Sequence, residues 1–289
     1  MGKFDFLKKA FNGNGKIIVP ESNKRLNVFV AVCCHRGVDP DVVDQLIVLA
    51  KCVNPFFAIK MKGGDALISR SRNVAATRFL EALDYDVLLF IDDDVIFNPK
   101  DAVQVARLCN EQNLGIVGGA YVKKSEERTH YAIKTCANYE YIFGKGGNCE
   151  EVEYVSTGFM AIQKRVLQQM TKEIPEGQNF SYCTNAQLNY FTFFDPFSKL
   201  VDGKWLPLSE DWAFCERWKQ LGGKIYCDNT IRLKHAGRYL YEDKDMLRPV
   251  KPDFDSFKYF DDGQGHLQVS GIPKQEAEAV LSGSEVKGA

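Results

Sequence analysis

The segment Val87-Leu88-Leu89-Phe90-Ile91-Asp92-Asp93-Asp94-Val95-Ile96-Phe97-Asn98-Pro99 constrains this chain more than any other. Five consecutive apolar residues run directly into three carboxylates. A short apolar run with so abrupt a polar end predicts a strand buried on both faces of a sheet. The acids then fall at the carboxyl end of the strand, the edge of an open α/β sheet where ligands bind. Adjacent carboxylates repel one another. Two like charges about 4 Å apart cost on the order of 4 kcal/mol at an effective dielectric of about 20. The cluster therefore calls for a cation, and oxygen ligands favour a hard divalent ion, Mg²⁺ or Mn²⁺.

The flanking sequence places this strand in a repeating pattern. Val28 to Cys33 reads as a first strand, followed by Cys34-His35-Arg36-Gly37-Val38 and a helix start at Asp39-Pro40, an N-cap with proline at the first helical position. Phe56 to Ile59 reads as a second strand and Gly63-Gly64 as a turn. Apolar residues at Ile68, Ala75, Ala76, Phe79, Leu80 and Leu83 then mark one face of a helix whose first turns carry Arg70, Arg72 and Asn73. Asn98-Pro99 opens another helix, and a short strand spans Gly115 to Val117. Strand and helix alternate, which predicts a mostly parallel sheet covered by helices on both faces, a Rossmann-like α/β/α sandwich.

Beyond residue 120 the pattern loosens. Tyr131 to Thr135 and Tyr139 to Phe143 fit antiparallel strands, and Val152 to Val155 leads through Ser156-Thr157-Gly158 into an apolar run and a helix from Lys164. Ile174 to Leu208 is aromatic and aperiodic, the mark of a functional loop. Ser209-Glu210-Asp211-Trp212 opens a helix with a serine cap, closed by Gly222-Gly223, and a last strand leads to His235-Ala236-Gly237. The chain thus divides into an N-terminal amphipathic segment (1–25), a main domain (26–250, with halves 26–120 and 121–250) and a C-terminal tail (251–289) that ends in a short helix from Lys274.

Charge and cysteine usage exclude several classes. Lys plus Arg number 37 against 38 Asp plus Glu, so no basic field points to nucleic acid. Nine cysteines without a Cys-x-x-Cys pair argue against a disulfide framework or a structural zinc site, and for reduced thiols in the cytoplasm. No apolar stretch reaches the ~20 residues that span a bilayer. Phe4, Phe6, Leu7 and Phe11 among lysines suit either a weak membrane contact or a helix packed on the protein's own surface.

An apolar strand ending in Asp-x-Asp resembles the metal site of the GT-A glycosyltransferases. Arg70-Ser71-Arg72-Asn73 is similar to the Ala/Ser-Arg-Asn segment many of these enzymes carry before that strand. Leu208-Ser209-Glu210-Asp211-Trp212 resembles the Glu-Asp motif of the large inverting GT-A family, and His235 resembles the late histidine that completes the metal site. The likeness covers about residues 26–240. Two departures stand out: the first-strand loop is Cys-Cys-His-Arg, and the Gln-x-x-Arg-Trp motif of processive polysaccharide synthases is missing.

The resemblance implies a nucleoside diphosphate sugar of UDP or GDP type as donor, a glycan or other hydroxyl acceptor, and Mn²⁺ or Mg²⁺ as cofactor. Asp92, Asp94 and His235 are the expected metal set. A turn at the strand end would let Asp94 ligate directly while Asp92 lies nearer the ribose or reaches the ion through water, with Asp93 between them. The alternative for the acids is capping and turn solvation, which accounts for one or two aspartates better than for three. His35, Arg36, Asp39, Arg70, Arg72, Asn73, Asp92, Asp93, Thr157 and Gly158 are the expected donor-site residues, Arg72 and Asn73 facing the nucleotide from a helix start. Asp211 is the expected general base, against the alternative that Glu210 and Asp211 only complement the helix dipole. Two other classes remain: a nucleotide-sugar-binding module without turnover, and a sugar-phosphate nucleotidyltransferase. The latter usually opens with a glycine-rich loop, whereas here the first strand ends in Cys-His-Arg-Gly.

Overall fold

The computed structural model describes residues 25–124, 130–184, 188–237, 254, 256–264 and 266–272. The amphipathic segment up to residue 24, with its expected membrane contact, and the expected terminal helix from Lys274 lie outside the described residues.

The first part of the chain runs β1 (Asn27–Cys33), α1 (Pro40–Leu49), β2 (Phe56–Lys62), α2 (Ile68–Glu81), β3 (Val87–Asp92), β4 (Val95–Ile96), α3 (Pro99–Glu111) and β5 (Ile116–Gly119). Then come β6 (Ile133–Lys134), β7 (Tyr139–Gly144), β8 (Cys149–Val152), β9 (Tyr154–Val155), β10 (Phe159–Gln163) and α4 (Lys164–Glu173). Two hairpins follow, β11 (Tyr182–Thr184) with β12 (Asn189–Phe191) and β13 (Phe197–Val201) with β14 (Lys204–Leu208). The chain continues through α5 (Glu210–Gln220), β15 (Ile225–Asp228), β16 (Lys234–His235), β17 (Ser256–Asp261) and β18 (Leu267–Ile272).

Seven strands form the central sheet in the order β2-β1-β3-β10-β5-β15-β8. Only β10 and β8 run against the rest, so the sheet is mostly parallel, as the alternating pattern predicts. Strand residues alternate between two cores. Phe29, Ala31, Leu88 and Phe90 face one, packed with Phe79 of α2, Leu167 of α4 and Phe214 of α5. Val28, Val30, Leu89 and Ile91 face the other, with Leu46 of α1 and Val105 of α3. Burial on both faces is why β3 reads as a continuous apolar run.

Caps set the helix starts. The Asp39 carboxylate accepts from the Asp41 N–H at 3.0 Å ahead of Pro40. Asn98 and Asp101 form a reciprocal capping box around Pro99. At the other end α2 stops at Glu81, so Leu83, which the periodicity puts on the helix face, lies beyond it and is 91% exposed.

β6 and β7 are antiparallel strands, as the sequence reads them, β6 on β9 and β7 on β17. The later half departs from the sequence reading in two places. The aperiodic stretch Ile174 to Leu208 carries two hairpins, ordered by groups far away in sequence. The buried guanidinium of Arg217 donates to the carbonyls of Asn179, Phe193 (3.0 Å) and Asp195 (2.7 Å). Asn73 donates to Asp195 Oδ1 at 2.7 Å and accepts from the Phe194 N–H at 2.6 Å. Within the stretch set apart as a tail, β17 and β18 form a hairpin that extends β7 into a three-stranded sheet. No helix among the described residues is long and apolar enough to cross a membrane.

Candidate active site

The three aspartates sit where β3 ends and a turn begins, with Asp92 the last strand residue. Three backbone hydrogen bonds tie this turn to three other segments. The Asp92 N–H donates to the Gly158 carbonyl (3.0 Å), the Asp93 carbonyl accepts from the Asp39 N–H (2.8 Å), and the Asp94 carbonyl accepts from the Ala236 N–H (2.8 Å). The parallel register of β1 and β3, Cys33 opposite Asp92, brings the loop after β1 to the same edge. The short ladder of β16 on β4 sets His235 opposite Val95, the residue after Asp94.

The side chains of the triplet then diverge. Asp92 meets Arg72, whose Nη2 lies 2.9 and 3.2 Å from its two oxygens, while Nη1 of the same guanidinium donates to Glu210 Oε1. Arg72 is 5% exposed along its side chain. Burial pulls its guanidinium pKa down, but Asp92, Glu210 and Asp211 together hold it above its ordinary value. Asp93 is raised by burial and by the charges of Asp94 and Asp92.

Asp94 faces the opposite way. Its Oδ2 accepts from Lys124 Nζ, and its Oδ1 lies 3.4 Å from His235 Nε2. Burial acts to raise this carboxyl, yet the hydrogen bonds from His235 and Lys124 hold it at about 2. His235 Nδ1 is 2.8 Å from the Val122 carbonyl. A carbonyl only accepts, so Nδ1 donates there, and the ring is oriented with Nε2 toward the Asp94 carboxylate. Tyr121 packs edge-on against this imidazole, ring centroids 5.1 Å apart.

A divalent ion fits the Asp94–His235 pair. A carboxylate oxygen and an imidazole nitrogen face each other, a donor pair that suits Mn²⁺, and an ammonium already occupies the second carboxylate oxygen as a stand-in cation. Two protein ligands would leave the remaining coordination positions to groups from outside the chain. Among the described residues no three of His, Cys, Asp and Glu converge on one point, because Asp92 is turned to Arg72.

Other expected residues fall into place differently. Glu210 and Asp211, neighbours at the start of α5, point apart: Glu210 to Arg72, Asp211 to its own helix start. Asp211 Oδ1 accepts from the Ser209 hydroxyl and from the Trp212 N–H at 2.8 Å. Ser209 holds the N-cap position but makes no side-chain capping bond, a correction to the expected serine cap, since its hydroxyl is spent on Asp211. Asp39 caps α1 beside Asp93, whereas His35 and Arg36 are exposed on the loop after β1.

The expected nucleotide-facing pair Arg72 and Asn73 lies one turn into α2 and is buried, Asn73 fully committed to the Phe194–Asp195 backbone and side chain. Arg70 is forked onto Asp65 at 2.6 and 2.9 Å, a pair in which the carboxylate is buried and the guanidinium partly exposed. Thr157 is buried with no hydrogen-bond partner for its hydroxyl among the described residues. At Gly158 an added Cβ would stand 2.3 Å from the Tyr121 hydroxyl, so a neighbouring side chain, not a ligand, takes the room this glycine leaves.

Tyr121 and Lys124 escape the sequence reading. Each acts through a partner at least 30 positions away, and nothing in Tyr121-Val122-Lys123-Lys124 marks either. A cleft of ≈ 320 Å³ borders the site, sharing Val122 with it and lined by Tyr131, Phe143, Arg232 and Tyr259.

No protein-family model and no curated relative matches the chain. Among solved structures it is similar to A197 from STIV, 17% identical over 74% of this chain and 87% of that one, at a TM-score of 0.47. It is also similar to GalNAc-T7, solved with UDP, GalNAc and Mn²⁺: 11% identity, 75% of this chain, 45% of that one, TM-score 0.41. At these scores the likeness assigns no residue a role.

Proposed function

We propose that this chain is a metal-dependent glycosyltransferase that moves a sugar from a nucleoside diphosphate sugar to a hydroxyl of a glycan or other acceptor, with inversion at the anomeric carbon. The observation that carries this reading is the Asp94–His235 pair at the carboxyl end of the sheet, its imidazole oriented by the Val122 carbonyl so that Nε2 faces the carboxylate. Cysteine usage and the absence of pairing motifs support a reducing compartment such as the cytoplasm.

Breaking the bond between an anomeric carbon and a diphosphate oxygen leaves negative charge on the diphosphate. A divalent ion held by Asp94 and His235 would stabilise that charge as a Lewis acid. Arg72 fixes the orientation of Asp92 beside this pair, where ribose hydroxyls are natural donors to it. The exposed loop with His35 and Arg36, anchored through Asp39 to the Asp93 carbonyl, borders the same edge and suits the base and ribose. Asp211 is the proposed base. Its Oδ1 is pinned by Ser209 and the Trp212 N–H, which leaves Oδ2 to receive the acceptor hydroxyl's proton as oxygen attacks.

A screen of nucleoside diphosphates and their sugars by thermal shift, with and without Mn²⁺, tests the donor reading. A ligand at 100 times its dissociation constant stabilises by about 2.7 kcal/mol. The true donor should stand out only with the ion, and equal shifts in chelator would sink the metal dependence. With the donor known, Asp211→Asn should retain donor binding while transfer falls about 10²–10⁴-fold. A product keeping the donor's anomeric configuration by NMR would reassign Asp211 to helix capping.

One observation favours a second reading, a binding module without turnover: Asp211 already serves its own helix start. Donor hydrolysis assayed with Mn²⁺ separates the two, since a module releases no sugar.

A further inference from the structure

We propose that Lys124 is an exchangeable counter-ion: it neutralises Asp94 in the metal-free chain, yields that carboxylate to a divalent cation, and in the loaded site turns its ammonium to the diphosphate. This rests on the metal-site reading above. The two oxygens of Asp94 have different partners, Oδ1 facing His235 Nε2 and Oδ2 accepting from Lys124. An ion seated between Asp94 and His235 would therefore stand beside the ammonium, and like charges that close repel.

The lysine is free to move away. Its side chain is 44% exposed, and it makes a single-point contact with the carboxylate. Its stem runs over Gly237, two residues past His235, where an added Cβ would lie 3.2 Å from Lys124 Cδ. The stem thus crosses the chain at a position that has no side chain, within the segment that delivers the histidine. A compact ammonium on a flexible four-carbon stem also suits a phosphate as a point charge. Arg72, the other cation of the cluster, cannot take this part, because its terminal nitrogens are committed to Asp92 and Glu210.

Calorimetry on the full chain tests the exchange, with MnCl₂ as the first probe and inorganic pyrophosphate at saturating Mn²⁺ as the second. Lys124→Met should bind Mn²⁺ about two- to fivefold more tightly at low salt, the range an exposed ion pair commands. The gain should shrink at about 1 M salt as screening takes over. The same variant should bind pyrophosphate about fivefold or more weakly, and Lys124→Arg should restore that affinity. Asp94→Asn serves as the control on the metal site itself. If Asp94→Asn weakens Mn²⁺ binding but Lys124→Met leaves it unchanged, the metal reading survives and the exchange is overturned. Unchanged pyrophosphate affinity in Lys124→Met overturns the diphosphate contact. Absence of Mn²⁺ binding in both the natural chain and Lys124→Met overturns both readings.

Discussion

Arg72 and Lys124 each hold one aspartate of the same triplet, and they do so in opposite ways. Arg72 is buried, forked, and shared between two acids from distant segments, Asp92 of β3 and Glu210 of α5. Lys124 is half-exposed and, among the described residues, touches one oxygen of one acid. The first pair welds β3 to α5, the helix that bears the proposed base. The second neutralises a carboxylate without locking it. A cluster of like charges on one strand end is thus resolved by a structural cation on one side and a displaceable one on the other.

Removing Arg72 should give the largest effect. Arg72→Met leaves Asp92 and Glu210 without their cation in a largely buried setting, and breaking such pairs costs about 3–5 kcal/mol. Because the two acids keep exposures of 24% and 22%, the low end, about 3 kcal/mol by urea denaturation, is expected. Arg72→Lys should recover only part, since an ammonium cannot fork. Lys124→Met should change stability by less than about 1 kcal/mol. Equal losses at the two cations would erase the distinction between them.

A smaller effect is expected at Gly158, which joins the two sides. Its carbonyl accepts from the Asp92 N–H, and its missing side chain makes room for Tyr121, which packs on His235. Gly158→Ala should cost about 1–3 kcal/mol in thermal unfolding, as overpacking does. Because the phenol oxygen is the nearest atom, Tyr121→Phe should relieve part of that cost in the double variant. Full additivity of the two changes would show that they do not meet.

The smallest effects are pH-dependent, and they have opposite signs at adjacent residues. Asp94 is held at about 2 in the folded chain, below its ordinary 3.8. Its contribution to stability is therefore present above about pH 4 and is lost as pH falls through about 2. Asp94→Asn should flatten the acid limb of the stability curve in that window. Asp93 is raised, so its ionisation opposes folding as pH climbs past 3.8. Asp93→Asn should then stabilise at pH 7, by on the order of 0.5 kcal/mol. Destabilisation by Asp93→Asn at pH 7 would mean that the middle acid, too, has a cation.

The parts legible in the sequence are those governed by local rules. Asp39-Pro40 and Asn98-Pro99 announce helix starts because capping and proline geometry act within four residues, and both helices begin there. The Val87–Ile91 run announces a strand buried on two faces. Ile174 to Leu208 resisted reading because its order comes from Asn73 and Arg217, groups outside the stretch that bind its carbonyls, amides and carboxylate. The same cause governs Asn73. Its side chain bonds the Phe194 N–H and the Asp195 carboxylate, partners more than a hundred positions away that no local pattern announces. Leu83 misled for a simpler reason: its periodicity continues past the end of the helix.

By itself the sequence determined the alternation of strands and helices, the two-faced burial of β3, and the position of three acids at its carboxyl end, since apolar periodicity and capping chemistry are written in neighbouring residues. Only the tertiary structure decided what each acid does. Asp92, Asp93 and Asp94 are chemically identical and adjacent, and their fates follow from the cations that the fold delivers from other segments: Arg72 from α2, Lys124 from beyond β5, and His235 from β16. Electrostatic partners act through space over a few ångströms, and no local pattern in the chain records which segments the fold will bring that close.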